Sequence, residues 1–326
     1  MMQSGSPAPK RSALIVAGPT TSGKSALALA LARDLNGVVV NADSMQVYRE
    51  LRVLTARPTP ADEMEAPHRL YGVRPVAEPA NVAWWREQAL AAMEEAAAAG
   101  RLPILCGGTG LYFLSLTRGL SEVPVVPAWA REEARARLVA LGAVGLHEVL
   151  ARADPVTAAG LRPSDAQRVA RAFEVLLGTG RGLVAWQQNG GIGAADWRFF
   201  AILLRPPRQE LRAAASDRFD AMMRDGALEE VRALLEHRLD PNLPAMSAHG
   251  VPELAAHLSG HMELSEARSR AVAHTRQYIK RQDTWFRHHA LAPADGVRHL
   301  DARISDGAQF MRSLCPEILA FLQAAR

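Results

Sequence analysis

Four short apolar runs stand out along the chain: Ala13–Ala17, Gly37–Asn41, Leu102–Cys106 and Phe199–Leu204. Each has the length and unbroken apolar character of a strand buried on both faces. Between the first three, Ala26–Leu35 and Trp84–Ala99 carry helical spacing, and Gly100 stops the second of them. Strand, helix, strand, helix, strand is the signature of an α/β fold with a parallel sheet. The polar stretch from Asp43 to Pro79 contains several prolines and reads as loops.

Beyond Gly119 the pattern changes. Pro124 and Pro127 interrupt the chain, and Arg131–Gly182 is helical in spacing almost throughout. Ser164-Asp-Ala-Gln167 has the form of a capping box with Ser164 as N-cap, and Gly178 and Gly180 end that helix. Strand character returns only at Phe199. The expected organisation is a loose tail over 1–11, an α/β core built from 12–119 and 198–326, and a helical insertion over 120–197. Within the second part of the core, helices are expected over Gln209–Arg238, broken near Gly226, and from Leu264 to about His289.

Composition narrows the class. The chain is 48% hydrophobic and 22% charged, which excludes a largely disordered protein. No uncharged apolar stretch is long enough to span a bilayer, and the Pro/Ser-rich segment Met1–Arg11 lacks the apolar centre of a secretion signal. Cys106 and Cys315 are too few for a disulfide framework or a four-ligand zinc site, so a reduced, cytoplasmic compartment is expected. A net charge of +4 permits a polyanionic partner without requiring one. Only three of the 38 basic residues are lysines (Lys10, Lys24, Lys280). With arginine so abundant, a single arginine says little about function, and Lys24 and Lys280 say more.

Lys24 lies in Gly18-Pro19-Thr20-Thr21-Ser22-Gly23-Lys24-Ser25, which fits the phosphate-loop pattern and follows a buried strand and opens a helix. Glycines let successive backbone N–H groups turn toward phosphate oxygens, and the helix N-terminus adds positive potential. Lys24 adds a full charge, and the Ser25 hydroxyl can hold a Mg2+ ion that bridges phosphates. The expected ligand carries a diphosphate. Nucleotide hydrolases place an aspartate at a strand end for a second magnesium contact. Here the strands end in Cys106-Gly107-Gly108-Thr109 and in Arg205-Pro206, so a motor ATPase or GTPase switch is disfavoured.

Asp43 follows the second strand, in Asn41-Ala-Asp-Ser-Met-Gln-Val-Tyr48. Ligands of open α/β sheets gather beyond the C-terminal strand ends, so Asp43 and the phosphate loop are expected to face one crevice. A carboxylate there can accept a proton or ligate metal; equally, an Asp at that place can cap a helix.

Several longer motifs carry a resemblance. The phosphate loop, Asp43-Ser-Met-Gln-Val-Tyr48, Thr55-Ala-Arg-Pro58, Pro67-His-Arg-Leu70, Gly107-Gly-Thr-Gly-Leu-Tyr112 and Lys280-Arg-Gln-Asp-Thr-Trp-Phe-Arg287 resemble, in the same order, the tRNA dimethylallyltransferases, also called tRNA isopentenyltransferases. The resemblance implies a P-loop NTPase-like core with a helical insertion domain. It implies transfer of a dimethylallyl group from dimethylallyl diphosphate to N6 of the adenine beside the anticodon, position 37 of tRNA. A loop that would otherwise be called an ATP-binding, nucleotide-binding site then holds a prenyl diphosphate. The expected catalytic set is Asp43, Lys24, Ser25, Thr109 and Arg218, with Mg2+ on Ser25. Thr109 and Arg218 would contact the diphosphate or its channel.

The partner implied is a tRNA anticodon stem-loop, with no membrane, and the protein is expected to be a monomer. Arg276, Lys280 and Arg287 fall at spacings of four and seven and share a helix face, opposite a stripe of Val272, Ile279 and Phe286. The implied tRNA-binding residues are Asp43, Ser44, Met45 and Gln46, then Gln167, Arg168, Val169, Ala170 and Arg171 on the insertion, and Lys280, Arg281, Gln282, Thr284, Trp285 and Arg287. One segment departs from the pattern. Many family members carry Gly-Tyr-Arg-Glu where this chain has His249-Gly-Val-Pro-Glu-Leu254. The rival readings are an isopentenyltransferase of free adenine nucleotides, against which the basic helices argue, and a P-loop small-molecule kinase.

Overall fold

The computed structural model describes residues 11–305 together with Ile318, Ala320 and Phe321. Most of the expected tail over 1–11, Lys10 and Cys315 lie outside the described residues. In chain order the elements are β1 (Ser12–Ala17), α1 (Lys24–Asp34), β2 (Gly37–Asn41), α2 (Pro60–Glu65), β3 (His68–Arg69), α3 (Val82–Ala98), β4 (Leu102–Gly107) and α4 (Gly110–Thr117). There follow β5 (Leu120–Ser121), α5 (Ala128–Ala153), α6 (Pro155–Ala159), α7 (Ala166–Thr179), α8 (Leu183–Gln188) and β6 (Gly191–Ile192). The chain continues with β7 (Arg198–Leu204), α9 (Arg208–Arg224), α10 (Ala227–Glu236), α11 (Val251–Leu258), α12 (Leu264–His288) and β8 (Val297–Leu300).

Six strands form one parallel sheet in the order β3-β2-β4-β1-β7-β8. The period of two along each strand divides its side chains between two cores. Ala13, Ile15 and Ala17 of β1 join Val38, Val40, Leu105 and Leu203 against Trp85, Met93, Phe113 and Phe286. Leu14 and Val16 join Val39, Ile104, Ile202 and Leu204 against Leu27 and Leu31 of α1. Covered on both faces, the central strands need no polar alternation, which is why they read as continuous apolar runs. The fold is the expected P-loop NTPase-like α/β sheet.

The edge strands were not visible in the sequence. β3 has two residues, and β8 is Val-Arg-His-Leu with three positions at least partly exposed. Neither offers an apolar run. Helices α2, α4 and α11 were also missed. In α2, Thr59 closes a capping box with Asp62 inside a stretch read as loop. In α11, Pro252 sits in the first turn, where its missing N–H costs no helical bond.

Arg118–Ala194 forms a compact unit of its own, and the other described residues form the α/β unit. The boundaries differ from the expected 120 and 197. The Ala195 N–H donates to the Leu116 carbonyl at 2.8 Å, and Trp197 is already buried in the sheet's core, so the return to the α/β unit comes earlier. Inside the helical unit, α5 and α7 share a core of Ala134, Leu146, Leu150, Val169 and Phe173. Gly142, at φ 67° and ψ 176°, breaks α5 in two. The N-cap of α7 is Asp165, whose carboxylate accepts from Arg168 N, and not the expected Ser164. A shorter start puts Asp165 one residue closer to the N–H groups that need an acceptor.

Candidate active site

The phosphate loop leaves β1 at the C-terminal end of the sheet and curls into α1. Thr21 and Gly23 take left-handed backbone angles (φ 66° and 88°). Gly23 is required on two counts. Besides its φ, a Cβ there would meet the Ile304 carbonyl oxygen at 1.9 Å. The loop is held from outside by residues remote in sequence. Thr20 N donates to Gln282 Oε1 at 2.8 Å, Arg303 Nε donates to the Thr21 carbonyl at 3.0 Å, and Ile304 N donates to the Ser22 carbonyl at 3.0 Å. No side chain caps α1, whose N-terminus is left free to receive an anion. The Ser22 hydroxyl is buried without a hydrogen-bond partner at the inside of the loop.

Asp43 stands across from this loop. Its Oδ1 accepts from Met45 N at 2.9 Å, and its own N–H donates to Asn41 Oδ1 at 2.8 Å. No helix follows it, so it is not the N-cap that its residue type also allowed. Asn41 is buried and ties the turn to β3's loop through Leu70 O. A cavity of about 570 Å³ opens between the two segments. Its walls include Thr20, Thr21, Gly23, Lys24, Ser25, Asp43, Gln46 and Arg218, so the crevice expected from the sequence brings these residues together. Arg52, Arg57 and Arg303 line it too, and among the described residues of the wall these five cations face two carboxylates, Asp43 and Asp225. Such a wall suits a multiply charged anion.

Burial dominates the charges here. It pulls the Lys24 ammonium below the ordinary lysine value, while Asp43 acts in the opposite direction. It pulls the Arg218 guanidinium down as well, again opposed by Asp43. Arg218 is aimed by its bonds to Thr20 Oγ1 (3.1 Å) and the Thr55 carbonyl (3.4 Å). The Cys106 thiol behind the loop is pushed up to about 11 by burial and stays protonated at neutral pH.

The donor set fits a magnesium ion that keeps most of its shell from substrate and water. Ser25 and Asp43 offer one hydroxyl and one carboxylate to the same cavity, which matches the habit of Mg2+ at phosphate sites. Among the described residues no group of three or more His, Cys, Asp or Glu side chains could cage a metal without the ligand.

Thr109 lies in the turn after β4. Its hydroxyl accepts from Ser44 N at 3.0 Å, and it is absent from the cavity wall. The Gly107–Gly110 turn that carries it is pressed beneath α12: a Cβ on Gly110 would strike the Trp285 ring at 2.3 Å. Thr109 is tied to the Asp43 turn at both ends, its N–H donating to the Ala42 carbonyl at 3.2 Å and its hydroxyl accepting from Ser44 N. Ser44 and Met45, expected to contact tRNA, are half-buried in the turn that follows Asp43.

With loop, carboxylate and cavity in one place, likeness to known proteins becomes informative. The IPP transferase family matches residues 46–289. A tRNA dimethylallyltransferase of Acidiphilium cryptum is 54% identical over 96% of this chain and 95% of its own. The chain belongs to the tRNA dimethylallyltransferase family. Solved structures agree. The full-length tRNA isopentenylpyrophosphate transferase of Bacillus halodurans is 29% identical with a TM-score of 0.67, covering 97% of this chain and 98% of that one. A eukaryotic dimethylallyltransferase acting on tRNA is 25% identical with a TM-score of 0.75, covering 95% of this chain and 80% of that one.

As a tRNA dimethylallyltransferase family member, the chain presents two basic helices. On α12, Lys280, Arg281, Thr284 and Arg287 are exposed, and Val272, Ile279 and Phe286 are buried opposite. Arg287 is braced by Asp283 at 3.1 Å. Gln282, expected on the tRNA-binding face, is buried instead. It accepts from Thr20 N and donates to the Gly108 carbonyl at 2.9 Å, clamping the phosphate loop to the glycine turn. One residue further along a helix rotates a side chain by about 100°, which carries Gln282 away from Lys280 and Arg281. Trp285 is half-buried and stacks on His289 at 4.2 Å. In the helical unit, Gln167, Arg168 and Arg171 are exposed on α7, whereas Val169 is buried in that unit's core. Arg171 is paired with Glu174 at 2.6 Å.

The segment that departs from the family pattern is ordered. Glu253 closes a capping box on Gly250 N and holds His274 Nδ1 at 2.5 Å. His249 packs on the Tyr278 ring at 4.9 Å. The cavity wall also includes three residues to which the sequence alone assigned no role: Arg52, Arg57 and Arg303. Arg57 could have been found, since it stands in the Thr55–Pro58 motif. Arg303 has no local signal.

Proposed function

We propose that this chain transfers a dimethylallyl group from dimethylallyl diphosphate to N6 of the adenine beside the anticodon, position 37, of its tRNA. The observation that carries the reading is the shared cavity: an uncapped phosphate loop with Lys24 and Arg218 on one side, and Asp43 on the other. The N6 lone pair attacks the terminal allylic carbon, the C–O bond breaks, and its electron pair leaves with diphosphate. Lys24, Arg218 and the loop N–H groups face the oxygens on which that charge grows, so they bind the transition state better than the ground state. Asp43 accepts the N6 proton. Adenine amines are weak nucleophiles, so holding the amine in line matters as much as removing its proton. Bound Mg2+, held by Ser25, would supply further neutralisation of the diphosphate.

A stacked adenine cannot enter this cavity, and base extrusion costs a few kcal/mol, less in a loop than in a duplex. Exposed Lys280, Arg281 and Arg287 on α12, and Arg168 and Arg171 on α7, supply phosphate contacts that offset this cost. Among the described residues no helix is long and apolar enough to cross a membrane, and the reading places the enzyme in the cytoplasm, acting as a monomer. Labelled dimethylallyl diphosphate or labelled ATP, offered with tRNA or AMP, tests the proposal. Label passing from dimethylallyl diphosphate to tRNA supports it; transfer to AMP favours the nucleotide isopentenyltransferase, and phosphoryl transfer from ATP a kinase.

A further inference from the structure

One part of the cavity wall is a turn, residues 51–59, that contributes Arg52, Val53, Thr55, Ala56, Arg57 and Thr59 and is joined to the phosphate loop through Arg218, which donates to both Thr20 Oγ1 and the Thr55 carbonyl. Within the turn, Ala56 N donates to the Val53 carbonyl at 2.9 Å, Arg57 N to the Arg52 carbonyl at 3.1 Å and Thr55 Oγ1 to the Leu51 carbonyl at 2.6 Å, which leaves the N–H groups at its start to be satisfied from outside. Three successive N–H groups, those of Arg52, Val53 and Leu54, converge on one side chain from another part of the fold. Arg52 N and Val53 N donate to Glu230 Oε2 at 2.6 and 2.7 Å, and Leu54 N donates to Glu230 Oε1 at 2.9 Å. Glu230 is in the first turn of α10, a helix set in the core by Val231 and Leu234. The far side of the turn is tied by carbonyls. Gln46 Nε2 donates to Thr55 O (2.8 Å) and Ala56 O (3.0 Å), and Arg218 Nη2 to Thr55 O. Arg57 is anchored by donating to the Tyr48 and Arg49 carbonyls, and its Nε is buried without a partner.

We infer that Glu230 is a positioning residue for the diphosphate side of this site, acting through the 52–54 turn on Thr55 and Arg57. It does not line the cavity itself. A carboxylate is the only side chain that can receive three converging N–H groups at this reach, because both of its oxygens accept and neither donates. The turn it fixes sets the Thr55 carbonyl that aims Arg218, and it carries Arg57, which lines the same two cavities as Ser25. The inference rests on the reading that a diphosphate occupies the loop.

Equilibrium binding to the full chain tests it, with inorganic diphosphate, dimethylallyl diphosphate and tRNA as separate probes. Glu230→Gln keeps the size of the side chain but turns an amide N–H toward backbone donors. It is expected to weaken both diphosphate probes by about tenfold or more, the scale of a displaced positioning group, with tRNA affinity unchanged. Glu230→Asp keeps two acceptors on a shorter arm and should show a smaller loss in the same direction. If Glu230→Gln loses thermal stability while diphosphate affinity is kept, or if tRNA affinity falls in parallel, Glu230 is a fold anchor only and the inference fails. Should Glu230→Gln not fold, unchanged diphosphate affinity in Glu230→Asp overturns it equally. Wild-type protein that binds inorganic diphosphate but not dimethylallyl diphosphate would sink the prenyl reading and leave the positioning role measurable. Wild-type protein that binds neither sinks both.

Discussion

The two ends of the active region are built on opposite principles. Around the phosphate loop, charge is buried: Lys24 is only 9% exposed, and its surroundings shift its ammonium downward. Remote side chains and backbone hold the loop in place. On the outer face of α12, Lys280, Arg281 and Arg287 stand in solvent on a helix whose other face is core. Chemistry needs preorganised dipoles in a dry cleft, where each interaction is strong. Gripping a polyanion needs several screened charges, each weak and each replaceable. Single substitutions should therefore be severe in the first region and graded in the second.

The largest effect is expected at the loop. Lys24→Ala should cut prenyl transfer by about 1000-fold, the upper scale for a lost transition-state donor, with tRNA affinity unchanged in a binding assay. Near-normal turnover would break the contrast at its strongest point. Asp43→Ala should lower turnover of bound substrate about 100-fold; a collapse of tRNA binding with turnover preserved would make Asp43 a docking residue. Gln282→Ala sharpens the comparison, because this residue lies between the basic positions in sequence yet belongs to the buried region. It should destabilise the fold by about 1–3 kcal/mol, since it strands Thr20 N and Gly108 O, and weaken diphosphate binding while leaving the salt dependence of tRNA binding alone. Neutralising Lys280 and Arg287 together should do the reverse. The slope of tRNA affinity against salt falls by about one unit per lost contact, and diphosphate affinity stays the same.

The smallest effect concerns pH. Because burial lowers the Lys24 pKa in the folded protein, the unfolded chain binds more protons between that lowered value and the ordinary 10.5. Unfolding free energy should therefore rise with pH across this window, by the linkage relation. Burial raises the pKa values of Tyr48, Tyr112 and Tyr278, which works the other way at high pH, so the measurement is the difference between wild type and Lys24→Met. An identical pH profile in the two proteins would show that Lys24 is not desolvated.

What the sequence determined by itself was whatever is written in neighbouring residues. Ala13–Ala17, Gly37–Asn41, Leu102–Cys106 and Phe199–Leu204 are buried on both sides, so their apolar runs declare the central strands. The phosphate loop declares itself because its glycines, lysine and serine act through one continuous stretch of backbone. Only the tertiary structure decided the rest of the site. The short edge strands β3 and β8 exist because a sheet is already there to pair with. Thr109 binds the Asp43 turn through Ser44 N, 65 residues away, a pairing no local pattern announces. Gln282 belongs to the phosphate loop through a bond to Thr20, 262 residues away, and Glu230 reaches the 52–54 turn across 176 to 178 residues. Periodicity and motif spacing report only on a residue's near neighbours along the chain. A polar side chain's partner is chosen by whichever unpaired donor or acceptor folding brings within about 3 Å of it, and that distance does not exist until the chain has closed on itself.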